Sequence, residues 1–205
     1  MSDAPIRRAD IFSINTWQTR LPAFEAHLDQ AVADLMTRWQ GGEFVEHKHG
    51  YGYNSDTGQF SDANLARYPY LAALRDGFVA ACARILEGRQ PYAARLNYDV
   101  TAVRAWFRIQ TPQEPAFPWH HHAPAVLSGC YFMQIPDTPG EDEGKLLFQN
   151  PDQSDLFMPR MSAVDPAAGD LIIFPSYLLH MPTPSPSASG LRIGINMDLF
   201  VAWAT

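Results

Sequence analysis

Trp119-His120-His121-His122, answered far downstream by a single His180 and then by Arg192, is the stretch on which the reading of this chain turns. In an extended backbone successive side chains leave on opposite sides, so His120 and His122 share a face and His121 points away. This is the shortest spacing at which one strand end presents two imidazoles to one ion. A third ligand has to come from elsewhere in the chain. Gly169-Asp170-Leu171-Ile172-Ile173-Phe174-Pro175-Ser176-Tyr177-Leu178-Leu179-His180 reads as a turn, a buried strand and a short bend that delivers His180. Imidazole ligands suit Fe(II), Zn, Ni or Cu, whereas Ca or Mg prefers oxygen, so ligand type leaves the metal open.

Strand alternation beyond that bend sets Arg192, Gly194 and Asn196 on one face and Leu191, Ile193 and Ile195 on the other. The guanidinium fork of Arg192 can pair bidentately with a carboxylate. Gly194 leaves room beside it, and Asn196 can orient a ligand oxygen or a water. A lone histidine more often satisfies a structural hydrogen bond or sits on the surface. The combination of three histidines with a distal arginine is what points to a site.

Working outward, Arg104, Trp106 and Arg108 alternate with Val103, Ala105, Phe107 and Ile109. Solvent exposure is the plain reading of the two arginines, and a place in a pocket wall is the other. Strands are expected near 102–109, 125–134, 145–148, 170–174 and 191–200, with Pro, Gly and Ser filling the connections. This order predicts an all-β core with flanking helices, arranged as a double-stranded β-helix, the cupin-like jelly roll that brings sequence-distant ligands between two facing sheets. The chain lacks the glycine fingerprint of a doubly wound dinucleotide fold.

The amino-terminal half supplies support. Residues 11–14 read as a short strand. Leu21, Phe24, Leu28, Val32, Leu35 and Trp39 predict a helix over Leu21–Trp39, with Pro22 in its first turn and Gly41-Gly42 at its end, and a second helix covers Tyr68–Leu86. Between them, His47-Lys48-His49-Gly50-Tyr51-Gly52-Tyr53-Asn54 reads as a polar and aromatic loop: a cover for a substrate, a dimer contact, or, through His47 and His49, a competing metal pair. The expected organisation is one domain over 1–205, with helices mainly in 1–95 and the jelly-roll core in 100–205.

His120-Xaa-His122 with Leu127-Ser128-Gly129-Cys130-Tyr131-Phe132, then Gly169 through His180, then Leu191-Arg192-Ile193-Gly194-Ile195-Asn196, resembles the 2-oxoglutarate-Fe(II) oxygenases. The likeness is to a bacterial subgroup with the pattern H-x-H, L-S-G-V-Y-Y, F-P-S-x-L-x-H and R-x-S-x-x-F-N, and it spans roughly residues 100 to 200. It implies Fe(II) as cofactor, 2-oxoglutarate as co-substrate, His120, His122 and His180 as metal ligands and catalytic residues, and Arg192 on the far carboxylate of 2-oxoglutarate. Tyr131 and Asn196 join Arg192 as expected co-substrate contacts, and Tyr131, Trp106, Trp119 and Phe132 as aromatic walls. The chain departs from the family at His122, where most members carry a carboxylate. A third neutral imidazole leaves the metal with one more unit of positive charge than the usual two-histidine, one-carboxylate set.

Composition bounds the rest. A hydrophobic fraction of 46% in 205 residues is enough for one substantial core. With 15 basic and 22 acidic residues the formal charge is -7, so no nucleic-acid partner is expected. No apolar run reaches membrane-spanning length, the start lacks a secretory core, and two widely separated cysteines fit free thiols in a reducing cytoplasm. The expected partner is a small-molecule or peptide substrate for hydroxylation, with a homodimer seam around 50–70 as a further candidate. Two other readings stand beside this one: a three-histidine cupin-like oxygenase that does not use 2-oxoglutarate, and a non-catalytic jelly roll that binds an anionic ligand.

Overall fold

The computed structural model describes residues 14–88, 98–138, 140–152 and 159–203. In chain order the elements are β1 (Trp17–Arg20), α1 (Pro22–Glu25), α2 (Leu28–Gln40), β2 (Val45–Glu46), β3 (Tyr53–Asn54), α3 (Asp62–Arg67), α4 (Tyr70–Gly88) and β4 (Tyr98–Gln110). They continue with β5 (Leu127–Gln134), β6 (Leu146–Gln149), β7 (Met161–Val164), β8 (Asp170–Pro175), β9 (His180–Pro182) and β10 (Arg192–Trp203). Seven strands form one sheet in the order β1-β8-β5-β10-β4-β3-β2, and three form a second in the order β7-β6-β9. The two facing sheets are a double-stranded β-helix, as the strand order predicts.

Alternation along the central strands serves two layers at once. On one face of the large sheet Phe107, Ile109, Tyr131, Leu171, Ile173, Ile193, Ile195 and Met197 meet Phe24, Leu35, Leu71, Leu74 and Phe78 from the helices. On the other face Cys130, Phe132, Ile172 and Phe174 meet Leu146 and Phe148 of the small sheet. Burial on both faces explains why β5 and β8 are apolar almost throughout. Helix α4 lies directly on β5: a Cβ placed on Gly129 would come within 2.7 Å of Phe78 Cε2.

Several boundaries differ from expectation. The helix expected over Leu21–Trp39 is two pieces, broken around Ala26-His27, where His27 leaves the helical region (φ -116, ψ 8). The expected strand over 11–14 falls mostly outside the described residues; Ile14 itself is not in a strand, and pairing begins at Trp17. The loop expected at 47–54 holds over 47–52, with a 3-10 turn at Lys48–Gly50, and it closes a small hairpin whose second strand is Tyr53–Asn54. Val45 pairs with Asn54 and Glu46 with Tyr53, and Tyr53 and Asn54 then pair with Ile109 and Arg108, which fastens the hairpin to the core sheet.

The close approach at Gly129 has a measurable consequence. Gly129→Ala forces a methyl into the Phe78 ring, and overpacking of this kind costs about 1–3 kcal/mol. Urea denaturation should show a lower midpoint with an unchanged slope.

Candidate metal and carboxylate site

The three histidines are gathered by backbone hydrogen bonds before any side chain is considered. His120 and His180 form an antiparallel bridge, with His120 N–H donating to the His180 carbonyl at 3.1 Å and the reverse bond at 3.0 Å. His122 N–H donates to the Ser176 carbonyl at 2.8 Å, tying the second histidine to the bend that precedes His180. One ligand atom from each of His120, His122 and His180 lies within 4.8 Å of the others, a spacing that one metal ion can span. Among the described residues this is the group of three that could hold an ion.

Each ring is also fixed in its tautomer. Nδ1 of His120 lies 3.0 Å from the Pro118 carbonyl, Nδ1 of His180 lies 3.0 Å from the Leu178 carbonyl, and Nδ1 of His122 lies 2.8 Å from Asp198 Oδ1. A carbonyl or carboxylate oxygen only accepts, so Nδ1 carries the proton in all three and Nε2 keeps its lone pair for a metal. Burial pushes His120 down to about 4 and His180 down to about 3, with mutual repulsion among the imidazoles adding to the effect. Both rings are therefore neutral at physiological pH.

A cavity of about 230 Å³ opens beside the histidines. One side of its wall is β10, with Arg192, Gly194 and Asn196 on the pocket face as alternation predicts, and Cys130 and Phe132 of β5 next to them. Trp106, Arg108 and Gln110 of β4, then Asn54 and His47 of the hairpin, complete the other side. Arg192 is 7% exposed, and burial lowers its guanidinium only to about 10, so it is a cation at neutral pH. Its Nη1, Gln110 Nε2 and Asn54 Oδ1 are buried with no hydrogen-bond partner among the described residues. A buried guanidinium nitrogen without an acceptor is costly, and a bound carboxylate is the chemistry that would satisfy it. The donor set therefore fits both a divalent metal with imidazole preference and an acid held at Arg192.

Sequence reasoning placed some residues differently. Tyr131 lies on the opposite face of β5 from the cavity, fully buried against Phe24 with ring centroids 5.0 Å apart, so it neither lines the pocket nor reaches an acid held at Arg192. Cys130 and Phe132 occupy the pocket face instead, and Cys130 Sγ donates to Asn196 Oδ1 at 3.0 Å. Trp106 lines the pocket, whereas Trp119 is 36% exposed and does not. His121 is exposed and accepts the Ala123 N–H.

Arg108, for which solvent was the plain reading, faces the cavity, with its guanidinium over the Phe117 ring and a 3.3 Å contact to Glu114. Burial raises that carboxyl to about 7 against the opposing effects of the Thr111 N–H and Arg108. His47 reaches the pocket wall, but His49 is exposed, and the two form no group of three with another ligand among the described residues. Asp198 was not singled out from the sequence at all. Its only signal there is its even spacing from Arg192, Gly194 and Asn196 along β10.

Residues 104–198 match the family model described as "Putative 2OG-Fe(II) oxygenase". This stretch, just under half of the chain, is similar to the 2-oxoglutarate-Fe(II) oxygenases. Solved structures of similar fold include a prolyl-4-hydroxylase from Pseudomonas putida at 18% identity and TM-score 0.61, covering 93% of this chain and 95% of that one. A prolyl hydroxylase from Trichoplax adhaerens, in complex with a hypoxia inducible factor peptide fragment, is 16% identical with TM-score 0.62, covering 90% and 83%. HygX from Streptomyces hygroscopicus, with nickel and 2-oxoglutarate bound, is 9% identical with TM-score 0.61, covering 91% and 83%. At these identities the likeness carries the fold. No curated protein sequence matches the chain.

The likeness to this family and the three-histidine group together support Fe(II) as cofactor and 2-oxoglutarate as co-substrate. No helix among its described residues is long and apolar enough to cross a membrane.

The neutral imidazoles give the metal-free protein a defined acid response. His120 and His180 titrate lower in the folded chain than the usual histidine value of 6.5. Between that value and about 4 the unfolded chain therefore binds more protons, and stability falls as pH is lowered. Thermal melts of the metal-free protein from pH 7 to pH 4 should show a falling midpoint, and His180→Gln should flatten the slope.

Proposed function

We infer that this oxygenase hydroxylates a small molecule or a single exposed side chain of a peptide, with Fe(II) held by Nε2 of His120, His122 and His180 and the far carboxylate of 2-oxoglutarate held by Arg192. The observation that carries this reading is the buried, unpartnered Nη1 of Arg192 in the same cavity as three imidazoles whose Nε2 atoms are free. When bound, the metal and 2-oxoglutarate supply the oxidising power, with oxygen consumed and 2-oxoglutarate converted to succinate and carbon dioxide.

The chain's own residues set the geometry. Gln110 is paired with Arg192 across β4 and β10, so its unpartnered Nε2 joins the guanidinium as a second donor to the same carboxylate. Gly194, between Arg192 and Asn196, presents no side chain to the cavity and leaves the floor open for the co-substrate chain. Asn196, held by Cys130, takes a co-substrate oxygen or a water. Phe132 lies under the Arg192 guanidinium at 5.0 Å and keeps that end of the cavity dry, which strengthens the charge-assisted pairing.

The substrate then approaches from the hairpin side, over Trp106, Arg108 and Phe117, with His47 at the rim. Arg108 and Asn54 face each other in register across β3 and β4 and offer it a donor and an acceptor. Tyr131 has no part in this arrangement. The whole forms one oxygenase domain in a reducing compartment, the cytoplasm, where the two buried cysteines stay free thiols. The segment around 50–70 is the place where a second copy of the chain would dock.

Metal titration and succinate assay separate the competing readings. His120→Ala, His122→Ala and His180→Ala should each weaken Fe(II) or Ni(II) binding, while Arg192→Gln should keep the metal and weaken 2-oxoglutarate by about tenfold or more, the effect of losing a buried charge-assisted pair. Metal binding with no 2-oxoglutarate-dependent succinate would favour a cupin-like three-histidine oxygenase. Absence of both metal and oxygen consumption would favour a plain anion-binding jelly roll.

A further inference from the structure

We propose that Asp198 supplies, through His122, the negative charge that most members of the family place directly on the metal, so that the carboxylate of this site stands behind a ligand instead of being lost. The proposal rests on the three-histidine metal reading above and adds a residue to it. Asp198 Oδ1 accepts the Nδ1–H of His122 at 2.8 Å and the hydroxyl of Ser128 at 2.6 Å. Ser128 Oγ is in turn 3.0 Å from Ser176 Oγ, and the Ser176 carbonyl holds the backbone N–H of His122. The circuit is closed. The side chains of His122 and Asp198 are only 9% and 10% exposed, so their interaction is little screened by solvent.

Strand register explains why the carboxylate can act from there. Asp198 lies across from Ser128 of β5 and Arg104 of β4, on the same face of β10 as Asn196, Gly194 and Arg192. Arg104 is its neighbour in register, but its guanidinium lies over the Phe200 ring at 4.8 Å. Among the described residues no Lys or Arg pairs with Asp198, whose ring partner is the His122 imidazole. The other two histidines give their Nδ1 protons to neutral carbonyl oxygens of Pro118 and Leu178. His122, the ligand that replaces a carboxylate, is thus the one ligand backed by a carboxylate. A hydrogen bond from a ligating imidazole to a carboxylate raises the basicity of the metal-facing nitrogen and fixes the ring. With it, the formal charge summed over the metal, its ligands and the groups hydrogen-bonded to them equals that of a two-histidine, one-carboxylate set.

The test removes the charge and keeps the hydrogen bond. Both contacts of Asp198 are made by Oδ1, so in Asp198→Asn the amide oxygen can still accept from His122 and Ser128. Anaerobic calorimetry with Ni(II) and with Fe(II), without 2-oxoglutarate, reads the metal alone. We expect about 10- to 100-fold weaker binding in Asp198→Asn, the range for loss of a partner behind a ligand, and a higher Fe(III)/Fe(II) potential. The double variant His122→Asp/Asp198→Asn returns the carboxylate to the metal and should bind within about tenfold of the parent protein.

A folded Asp198→Asn protein with unchanged metal affinity and potential would overturn the proposal while leaving the three-histidine site intact. Failure of the parent protein to bind either metal would overturn both. Should Asp198→Asn not fold, the double variant decides: a folded double variant that holds the metal supports the proposal, and one that has lost it overturns it.

Discussion

The reciprocal backbone bond between His120 and His180 is the constraint on which the site depends. It joins a loop that leaves the large sheet to the edge of the small sheet, and it brings together two residues that lie far apart in the chain. Side chains of paired residues in such a bridge are close neighbours by geometry alone. The imidazoles therefore meet with their ring centroids 4.3 Å apart because the backbones are paired. His122 is added by one more backbone bond, to Ser176. Preorganisation of this kind matters because a ligand set that must be assembled at binding loses affinity to ordering entropy.

Each layer of the fold supports that bridge in a different way. The helices cover the outer face of the large sheet, and the close contact of Phe78 with Gly129 fixes β5 against α4. Fixing β5 also fixes Ser128, the residue that holds Asp198 behind His122. On the inner face, Phe174 and Phe148 pack beside the His180 ring, at 4.5 Å and 6.0 Å, and supply the apolar surroundings that keep it neutral. The charged elements of the cavity, Arg192 and Arg108, each lie over an aromatic ring, so their cost of burial is shared between a hydrophobic neighbour and the anion they face.

Much of this was legible in the sequence, and the rest was hidden for identifiable reasons. The period-two pattern of β10 separates Arg192, Gly194 and Asn196 from Ile193 and Ile195, and the structure puts the first set in the cavity and the second in the helix-side core. The alternating histidines and the bend ending at His180 carried the site, because few arrangements satisfy both. Tyr131 was assigned to the wrong face because β5 is buried on both sides, and a strand without polar alternation gives no sign of which parity faces the pocket. Arg108 read as solvent-facing because its partner, Glu114, and the ring beneath it, Phe117, lie in a proline-rich loop with no periodicity. Strands β7 and β9 are three or four residues long and went unread, since their pairing is imposed by β6 more than by their own composition.

The hairpin of β2 and β3 ends the large sheet, and each of its arms is joined to its neighbour through two residues. Yet it carries two residues of the cavity wall, His47 and Asn54, in a cavity whose Arg192 side is built from β4 and β10, the longest and most extensively paired strands. The two sides of the cavity are thus tied into the sheet to very different extents. Sequence change in the hairpin can therefore reshape one wall of the cavity while the register that sets Arg192, Gly194 and Asn196 stays fixed.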